Sequence, residues 1–265
     1  MNINIKNPVK SEIFSQIFQH IKVFTDSIIV VFDNDRVYFQ SMDSSHILIL
    51  ELHIPSSWFD KYEFTKNGNI PLGLNASLLF KILNTREKGQ ETEIIYKLDD
   101  EDKLFLNFTS EDKTVFDKRF ELPLMDLDNE FMSIPELECN AEFSLSSISF
   151  ANIINQLKLF GDTIDIICSE EKIELRSLSE GSGKMSVEIQ IDELSEYSID
   201  EGETIHISFS LNMLHNICLY NKISKEVRIK LIKDSPMQVL YNLGNSTDDV
   251  TNKLVFYLAP KIKDE

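Results

Sequence analysis

The sequence is poor in the residues that form covalent cross-links and has no segment suited to crossing a membrane. It holds three cysteines, Cys139, Cys168 and Cys218, which lack the paired spacing of a zinc site. We interpret them as reduced core thiols rather than as disulfide partners or metal ligands. No run approaches the roughly 18 consecutive apolar residues of a membrane helix, and the N-terminal segment lacks the apolar region of a secretory signal. We therefore expect an intracellular protein that does not contact a membrane.

Motifs for catalysis are also missing from the sequence. The five histidines stand apart from cysteines and carboxylates at ligand spacing, and neither a Gly-rich phosphate loop nor a nucleophile elbow occurs. The acidic segment Asp33–Asp35 lacks the glycine and the final glutamate of a calcium-binding loop, and Asp99–Asp102 is an acidic turn. We interpret both as solvated hairpin ends, and we expect no enzyme activity, no metal site and no cofactor.

Basic residues are few, and they are unevenly placed. The chain has 26 Lys and Arg against 44 Asp and Glu, a net charge of −18, which argues against indiscriminate nucleic-acid binding. Four predicted helical stretches, residues 11–22, 76–88, 147–158 and 211–225, nevertheless hold seven basic residues against two acidic ones. If these helices line one surface, that surface is a weak track for a polyanion; the alternative is that they are ordinary solvated helix faces. The seven are Lys22, Lys81, Arg86, Lys88, Lys158, Lys222 and Lys225.

An internal repeat organises the chain. Residues 24–31 align without gaps with residues 160–167 at a shift of 136, and residues 70–82 align with residues 205–217 at a shift of 135. The repeat predicts two copies of one module. We expect an α+β fold with domains at residues 1–122 and 139–265, joined by a connector at residues 123–138.

Hydrophobic periodicity predicts two helices in each copy. The first helices follow Ser11 and a cap of the Ser149 type, and the second helices follow Asn75 and Ser210. Strands of β-branched and aromatic residues account for the rest of each module. The predicted strands are Ser27–Phe32, Arg36–Gln40, His46–Leu52, Glu93–Leu98, Leu104–Phe108, Thr114–Leu122, Thr163–Cys168, Ile173–Arg176, Met185–Ile191, Val227–Ile232, Gln238–Leu243 and Lys253–Leu258.

The connector Pro123–Glu138 has the composition of an extended, exposed strap. It contains two prolines and several carboxylates, and its large apolar residues follow no helical stripe. These apolar side chains either pack on the chain's own domains, as we expect for Leu124 and Leu127, or form a docking surface. Met132 and Ile134 are the better candidates for docking, because methionine adapts to varied partners.

Three sequence blocks carry a family resemblance. They are Ser41–His46 (SMDSSH), Leu124–Asp128 (LMDLD) with Ile134–Glu136 (IPE), and Leu258–Ile262 (LAPKI). The chain resembles the proliferating cell nuclear antigen family, the sliding clamps of eukaryotic DNA replication, from end to end. The resemblance implies a ring-forming DNA-clamp fold, a homotrimer and a processivity factor that encircles duplex DNA in the nucleus. It also implies a clamp loader and clients in replication and repair, namely a DNA polymerase and other proteins with the PIP motif.

The resemblance also implies the DNA-facing residues. Lys22 and Lys81 match the family's basic positions, whereas neutral residues stand at several others, so we expect DNA contact to be weak and topological. The expected DNA-binding set is Lys22, Lys81, Arg86, Lys88, Lys158 and Lys222. Glu170 occupies the position of the lysine that the family uses for ubiquitin attachment, which puts that regulation in doubt here.

Two further contact surfaces follow from the resemblance. Clients bind through a peptide of the pattern Gln-x-x-aliphatic-x-x-aromatic-aromatic, although Tyr257 and Leu258 would alternatively just end a core strand. The implied client-binding residues are Met42, His46, Ile47, Leu127, Met132, Ile134, Pro236, Tyr257, Leu258, Ala259, Pro260 and Ile262. The implied trimer contacts are Phe120, Met185 and Val187, on strands Thr114–Leu122 and Met185–Ile191.

The departures from the family pattern suggest a divergent clamp, for example one encoded by a large DNA virus or a protist. The alternative function is a clamp-fold protein recruited to another task. It would then be a subunit of a heterotrimeric checkpoint clamp or a viral late-transcription factor, with no self-trimer.

Overall fold

The computed structural model describes residues 1–128, 131–135, 137–179, 183–244 and 251–261, and within them each half of the chain forms nine strands and two helices in the same order. The first half contains β1 Asn2–Ile5, α1 Pro8–His20, β2 Ser27–Phe32, β3 Arg36–Met42, β4 Leu48–Pro55, β5 Lys61–Glu63, β6 Ile70–Asn75, α2 Ala76–Leu83, β7 Glu91–Tyr96, β8 Lys103–Thr109 and β9 Lys118–Pro123. The second half contains β10 Ala141–Ser146, α3 Ser147–Leu157, β11 Thr163–Cys168, β12 Lys172–Ser179, β13 Gly183–Gln190, β14 Glu196–Ile199, β15 Ile205–Ser210, α4 Leu211–Ile217, β16 Glu226–Leu231, β17 Met237–Asn242 and β18 Lys253–Leu258. The internal repeat is therefore confirmed element by element.

The chain folds into two compact units. The first unit comprises Met1–Ser44, Glu51–Met132 and Leu243–Lys253, and the second comprises Ser45–Leu50, Ser133–Asn242 and Leu254–Glu265. The main division, between Met132 and Ser133, lies inside the expected connector. The boundaries 1–122, 123–138 and 139–265 themselves stay a prediction.

The first unit contains two antiparallel arrays of strands. One is the sheet of order β5-β1-β7-β8-β9, and in the other the neighbours run β4-β3-β2-β6. In the first sheet Ile94 lies opposite Ile3 on one side and Leu106 on the other, and all three side chains are buried. Because side chains alternate across a strand, this register places one apolar row on the inner face.

The second unit repeats both arrays. The neighbours run β14-β10-β16-β17-β18 in one, and the other is the sheet of order β13-β12-β11-β15. Each strand has the place of its counterpart in the first unit, so that β18 corresponds to β9 and β13 corresponds to β4. Phe143, Ile229 and Val239 face one another across β10, β16 and β17 and are fully buried. The two units thus share one topology as well as one element order.

Helix caps explain where the four helices begin. The second helix of each unit starts as predicted, after Asn75 and Ser210, whose side chains accept hydrogen bonds from the third residue that follows. The predicted starts of the first helices were wrong. Asn7 caps α1 by accepting from two main-chain amides, Pro8 is its first residue, and the Ser11 side chain is buried inside it. Ser146, not a residue of the Ser149 type, caps α3.

The predicted strands all exist, but several of their ends shift and six strands were missed. Strand β4 begins at Leu48 rather than His46, because His46 adopts a positive φ of 59°. Strand β9 begins at Lys118 rather than Thr114, since residues 112–115 form a turn held by the Asp112 carboxylate. The missed strands are β1, β5, β6, β10, β14 and β15.

The cores contain the apolar residues that the periodicity predicted. In the first unit the ring centroids of Phe14 and Phe18 lie 4.7 Å apart, and those of Phe18 and Phe39 lie 5.7 Å apart.

The three cysteines are free. Cys168 and Cys218 are buried, and burial raises the pKa of the Cys168 thiol to about 12. Cys139 is half-buried and so is not a core thiol. In the described part of the chain, none of the helices has the length and apolar character that a membrane crossing requires.

Candidate functional site

Lys22 and Lys81, the two basic residues that match the family's positions, lie near the ends of α1 and α2. Lys22 follows α1 in a short 3₁₀ turn, and its Nζ lies 3.1 Å from the centroid of the Phe80 ring on α2. Lys81 is exposed in the last turn of α2. Gln19 Nε2 donates to Asn84 Oδ1 at 3.1 Å between the two helix ends. The cation–π contact holds Lys22 against α2 and leaves its charge at the surface.

Arg86 is placed differently from the expectation that it faces DNA. Its side chain is 3% exposed, and one guanidinium nitrogen lies 2.6 Å from the Glu12 carboxylate. The same guanidinium donates to Ser11 Oγ at 3.0 Å and to the Gln90 carbonyl at 3.0 Å. Arg86 therefore ties α1 to the segment after α2, and its donors are used inside the unit.

The second unit has a comparable arrangement with one substitution. At the repeat shifts, Lys158 corresponds to Lys22 and His215 corresponds to Phe80. The His215 ring nitrogen lies 2.7 Å from Asn155 Oδ1. Burial lowers the pKa of His215, and the nearby Lys158 charge acts in the same direction. The imidazole is therefore held neutral at physiological pH.

The remaining cations of the expected DNA-binding set are at the surface of their units. Lys88 is exposed in the turn after α2, and Lys222 is exposed beyond α4, whereas Lys158 is half-buried. Thus five of the six expected side chains keep some exposure, and Arg86 is the exception. Whether they contact DNA stays a prediction.

Three residues of the expected client set lie in the first unit. Met42 is half-buried at the end of β3, and Leu127 is half-buried in the connector. Met132 is 39% exposed. Its main chain is held by the side chain of Gln40, which donates to the Met132 carbonyl at 3.0 Å and accepts from the Met132 amide at 2.7 Å.

The rest of the client set lies in the second unit, where exposure varies widely. Ile47 is 37% exposed, and its carbonyl accepts from the Ala259 amide at 2.9 Å. His46 and Pro236 are exposed, and Ile134, Tyr257, Ala259 and Pro260 are half-buried. Leu258 is fully buried at the end of β18, as the alternative describes, and its contact with a client stays a prediction. Ile262 lies outside the described residues.

Within the first unit, the connector is fixed to β6 by a close main-chain contact. The Met125 amide donates to the Gly73 carbonyl at 2.9 Å in a β-bridge. A Cβ on Gly73 would lie 2.2 Å from the Met125 carbonyl oxygen, a distance that atoms do not tolerate. Only glycine therefore permits this approach. Apart from the bridge, the described residues of 124–138 belong to no helix or strand.

The expected trimer residues lie on two edge strands. Among the described residues, β9 has β8 as its one hydrogen-bonded neighbour, and β13 has β12. Phe120 on β9 is half-exposed and packs 5.7 Å from Phe108. Met185 and Val187 are half-exposed on one face of β13. The two edge strands therefore carry the three side chains expected at the trimer contact. Pairing between copies stays a prediction.

Comparison with known families gives a match over nearly the whole chain. The family model for the N-terminal domain of proliferating cell nuclear antigen matches residues 6–131. The model for its C-terminal domain matches residues 133–261. The chain belongs to the proliferating cell nuclear antigen (PCNA) family. The resemblance and the two-domain α+β clamp fold are thereby confirmed, and proteins of this family are non-enzymatic clamps that encircle DNA and bind partners.

In this PCNA-family chain, Glu170 stands at the position where the resemblance implies the family's ubiquitin-modified lysine. Glu170 is exposed in a turn, and its carboxylate accepts a hydrogen bond from the Gly202 amide at 2.7 Å. The neighbouring Lys172 forms an ion pair of 2.6 Å with Glu188. The nearest lysine is thus already paired, which makes it a poor replacement for the family's modified residue.

Sequence reasoning missed the residues that hold the connector of this PCNA-family chain. Gln40 and Gly73 were not singled out, although Gly73 lies inside the repeat block 70–82. Its counterpart at the shift of 135 is Ser208, so the glycine is peculiar to the first copy. The Ser208 carbonyl nevertheless accepts a hydrogen bond from the Lys261 amide at 2.8 Å, so the main-chain contact recurs in the second unit and the glycine does not mark an additional contact. No sequence signal marks Gln40.

Proposed function

We propose that this chain is the subunit of a DNA sliding clamp. Three copies close a ring around duplex DNA, and a clamp loader opens the ring to place it there. The ring tethers a DNA polymerase and other PIP-motif clients during replication and repair, and it has no catalytic activity of its own. It acts in the nucleus, or in the viral replication compartment if the gene is viral.

The equivalence of strands in the two units carries the proposal of a ring. In the strand order of the sheet, β18 is followed by β4, whose first residues Leu48–Leu50 belong to the second unit. Strand β9 corresponds to β18, and β13 corresponds to β4. If β9 of one copy pairs with β13 of the next copy, this contact between copies is equivalent to the neighbour relation of β18 and β4 within one chain. Such a head-to-tail contact uses two different surfaces and closes a ring when the rotation permits.

The edges themselves favour pairing. An unpaired edge presents free main-chain donors and acceptors, and natural proteins cover or protect such edges. Phe120 on β9 and Met185 and Val187 on β13 supply apolar side chains beside the free main chain. Pairing between copies would cover both edges and bury these side chains.

The charge distribution supports a ring that holds DNA loosely. Lys22 and Lys81 are exposed at the ends of helices in a chain whose net charge is −18. The neighbouring polar positions are neutral, as with Gln19 and Asn84. Few phosphate contacts are therefore available, and the ring's closure, rather than adhesion, keeps the protein on DNA.

Light scattering during size-exclusion chromatography tests the proposal. We expect wild type to be a trimer at micromolar concentration and Phe120→Ala to be a folded monomer. Phe105→Ala is the matched control, because Phe105 is half-exposed on the neighbouring strand β8, on the sheet face opposite to Phe120, and its ring lies beside Lys97. The control should remain trimeric. A wild-type monomer would contradict the homotrimer and favour the subunit of a heterotrimeric clamp.

A further inference from the structure

The connector of the first unit is held by a side-chain amide that takes the place of a strand. Gln40 lies in β3 and is 7% exposed. Its Nε2 donates to the Met132 carbonyl at 3.0 Å, and its Oε1 accepts from the Met132 amide at 2.7 Å. Both main-chain groups of Met132 are thus paired with one rigid amide group. Such a pair reproduces the two bonds that a neighbouring strand would provide.

A second contact acts on the preceding residue. The Phe131 ring meets the Tyr38 ring edge to face, with 5.1 Å between centroids and 86° between planes. Tyr38 is itself fixed, because its hydroxyl donates to Glu51 at 2.7 Å and the Arg36 guanidinium lies 4.7 Å from its ring. Tyr38 and Gln40 are two residues apart on β3, so they point to the same face. Two consecutive connector residues are therefore held by one face of β3.

These contacts fix the main chain but leave apolar side-chain surface open. Met132 is 39% exposed, and Phe131 is 37% exposed. An exposed methionine on an unrestrained strap would have to be ordered when a partner binds, at a cost in affinity. With its amide and carbonyl both bonded to Gln40, Met132 is already ordered.

From this geometry we propose that Gln40 is a positioning residue for client binding: it fixes Met132 so that the methionine side chain is presented to the client peptide in advance. The inference rests on the proposed clamp function, since it concerns the client-binding residue Met132. Gln40 does not touch the client. It acts through the main chain of Met132, while the Phe131–Tyr38 contact supports the same segment.

The test compares two glutamines that make the same kind of double contact. Gln90 is fully buried in the first unit; it donates to the Phe116 carbonyl at 3.0 Å and accepts from the Glu87 amide at 2.8 Å. Gln40→Met and Gln90→Met each remove two bonds to main chain and keep the side-chain length. Calorimetric titration with a synthetic peptide of the pattern Gln-x-x-aliphatic-x-x-aromatic-aromatic measures affinity for both variants and for wild type.

We expect Gln40→Met to weaken peptide binding about tenfold, because the ordering of Met132 must then occur on binding. Gln90→Met should bind as wild type does, even if both variants lose the same stability. Amide hydrogen exchange provides the local readout. The Met132 amide should exchange faster in Gln40→Met, whereas the Met125 amide, which is bonded to Gly73, should be unchanged.

Gln40→Glu keeps the inference falsifiable if the methionine variant does not fold. A protonated carboxyl group has one donor and one acceptor and can replace both bonds, whereas a carboxylate can only accept. Peptide affinity of Gln40→Glu should therefore rise as pH falls through the pKa of the new carboxyl group, relative to wild type at the same pH. A pH-independent ratio would overturn the proposal, as would unchanged affinity in Gln40→Met. If wild type itself does not bind the peptide, the proposed client function fails instead.

Discussion

Single residues show why a count of basic side chains near the helices overstates the charge that faces outward. Arg86 is ion-paired with Glu12 inside the first unit. By contrast, Lys22 and Lys81 are exposed. A count from the sequence treats all of these residues as equally available to DNA, because it cannot show which cations are paired with residues that are distant in the chain.

The first prediction separates a structural cation from a functional one. Arg86→Met should lower the free energy of unfolding by about 2–3 kcal/mol, because the buried acceptors around it lose their partner. Lys81→Met, at an exposed site, should change it by less than about 0.5 kcal/mol. Urea denaturation measures both. Equal effects of the two substitutions would show that Arg86 is not a buried support.

At the scale of elements, local pattern predicted the helices and the apolar strands but not the strands that depend on pairing. Strands β2, β11 and β18 have the predicted bounds, since each is a run of β-branched or apolar residues. Strands β1 (NINI) and β5 (KYE) are only four and three residues long, and β1 is held between β5 on one side and β7 on the other. Strand β6 contains a proline and a glycine, which lower its intrinsic propensity. Non-local hydrogen bonds decide these cases.

The connector shows the same limit for the candidate site. Its exposed apolar residues and lack of regular structure were predicted from composition. Its attachment to β3 and β6 was not, because an amide on β3 and a missing Cβ on β6 leave no periodic signal. The residues of the client set came from family resemblance rather than from pattern. For one of them, Leu258, the structure shows a core role.

The second prediction tests the attachment of the connector to β6. Gly73→Ala should lower the free energy of unfolding by about 1–3 kcal/mol, because its Cβ would lie 2.2 Å from the Met125 carbonyl oxygen. Hydrogen exchange at the Met125 amide should accelerate. Gly89→Ala is the control. Gly89 has a φ of +90° and no atom lies within 4 Å of the added Cβ, so this substitution introduces backbone strain but no steric clash. If Met125 exchange does not change in Gly73→Ala, the bridge does not hold the connector.

At the scale of the whole molecule, the chain must combine a strongly acidic exterior with a surface that tolerates DNA. The net charge of −18 repels a polyanion and the exposed lysines attract it, and at physiological ionic strength a Debye length of about 8 Å confines both effects to short range. A clamp needs this combination, because a protein that adhered to phosphates would not slide. Neutral residues such as Gln19 and Asn84 offer hydrogen bonds without adding charge. If the proposed clamp function holds, the same balance predicts weak free association with DNA ends and a requirement for a loader.

The third prediction follows from that balance. Lys22→Glu combined with Lys81→Glu should reduce polymerase stimulation on circular primed DNA, while the fold and the oligomeric state stay unchanged. Lys66→Glu combined with Lys97→Glu introduces the same charge change at exposed sites outside the helices and should leave stimulation near the wild-type level. The salt dependence of duplex binding should be shallow in wild type, because each phosphate contact contributes about 0.9 to the log–log slope and few contacts are available. Tight, salt-steep binding of wild type to linear duplex DNA without a loader would contradict a topological clamp, since adhesion alone would then explain its association with DNA.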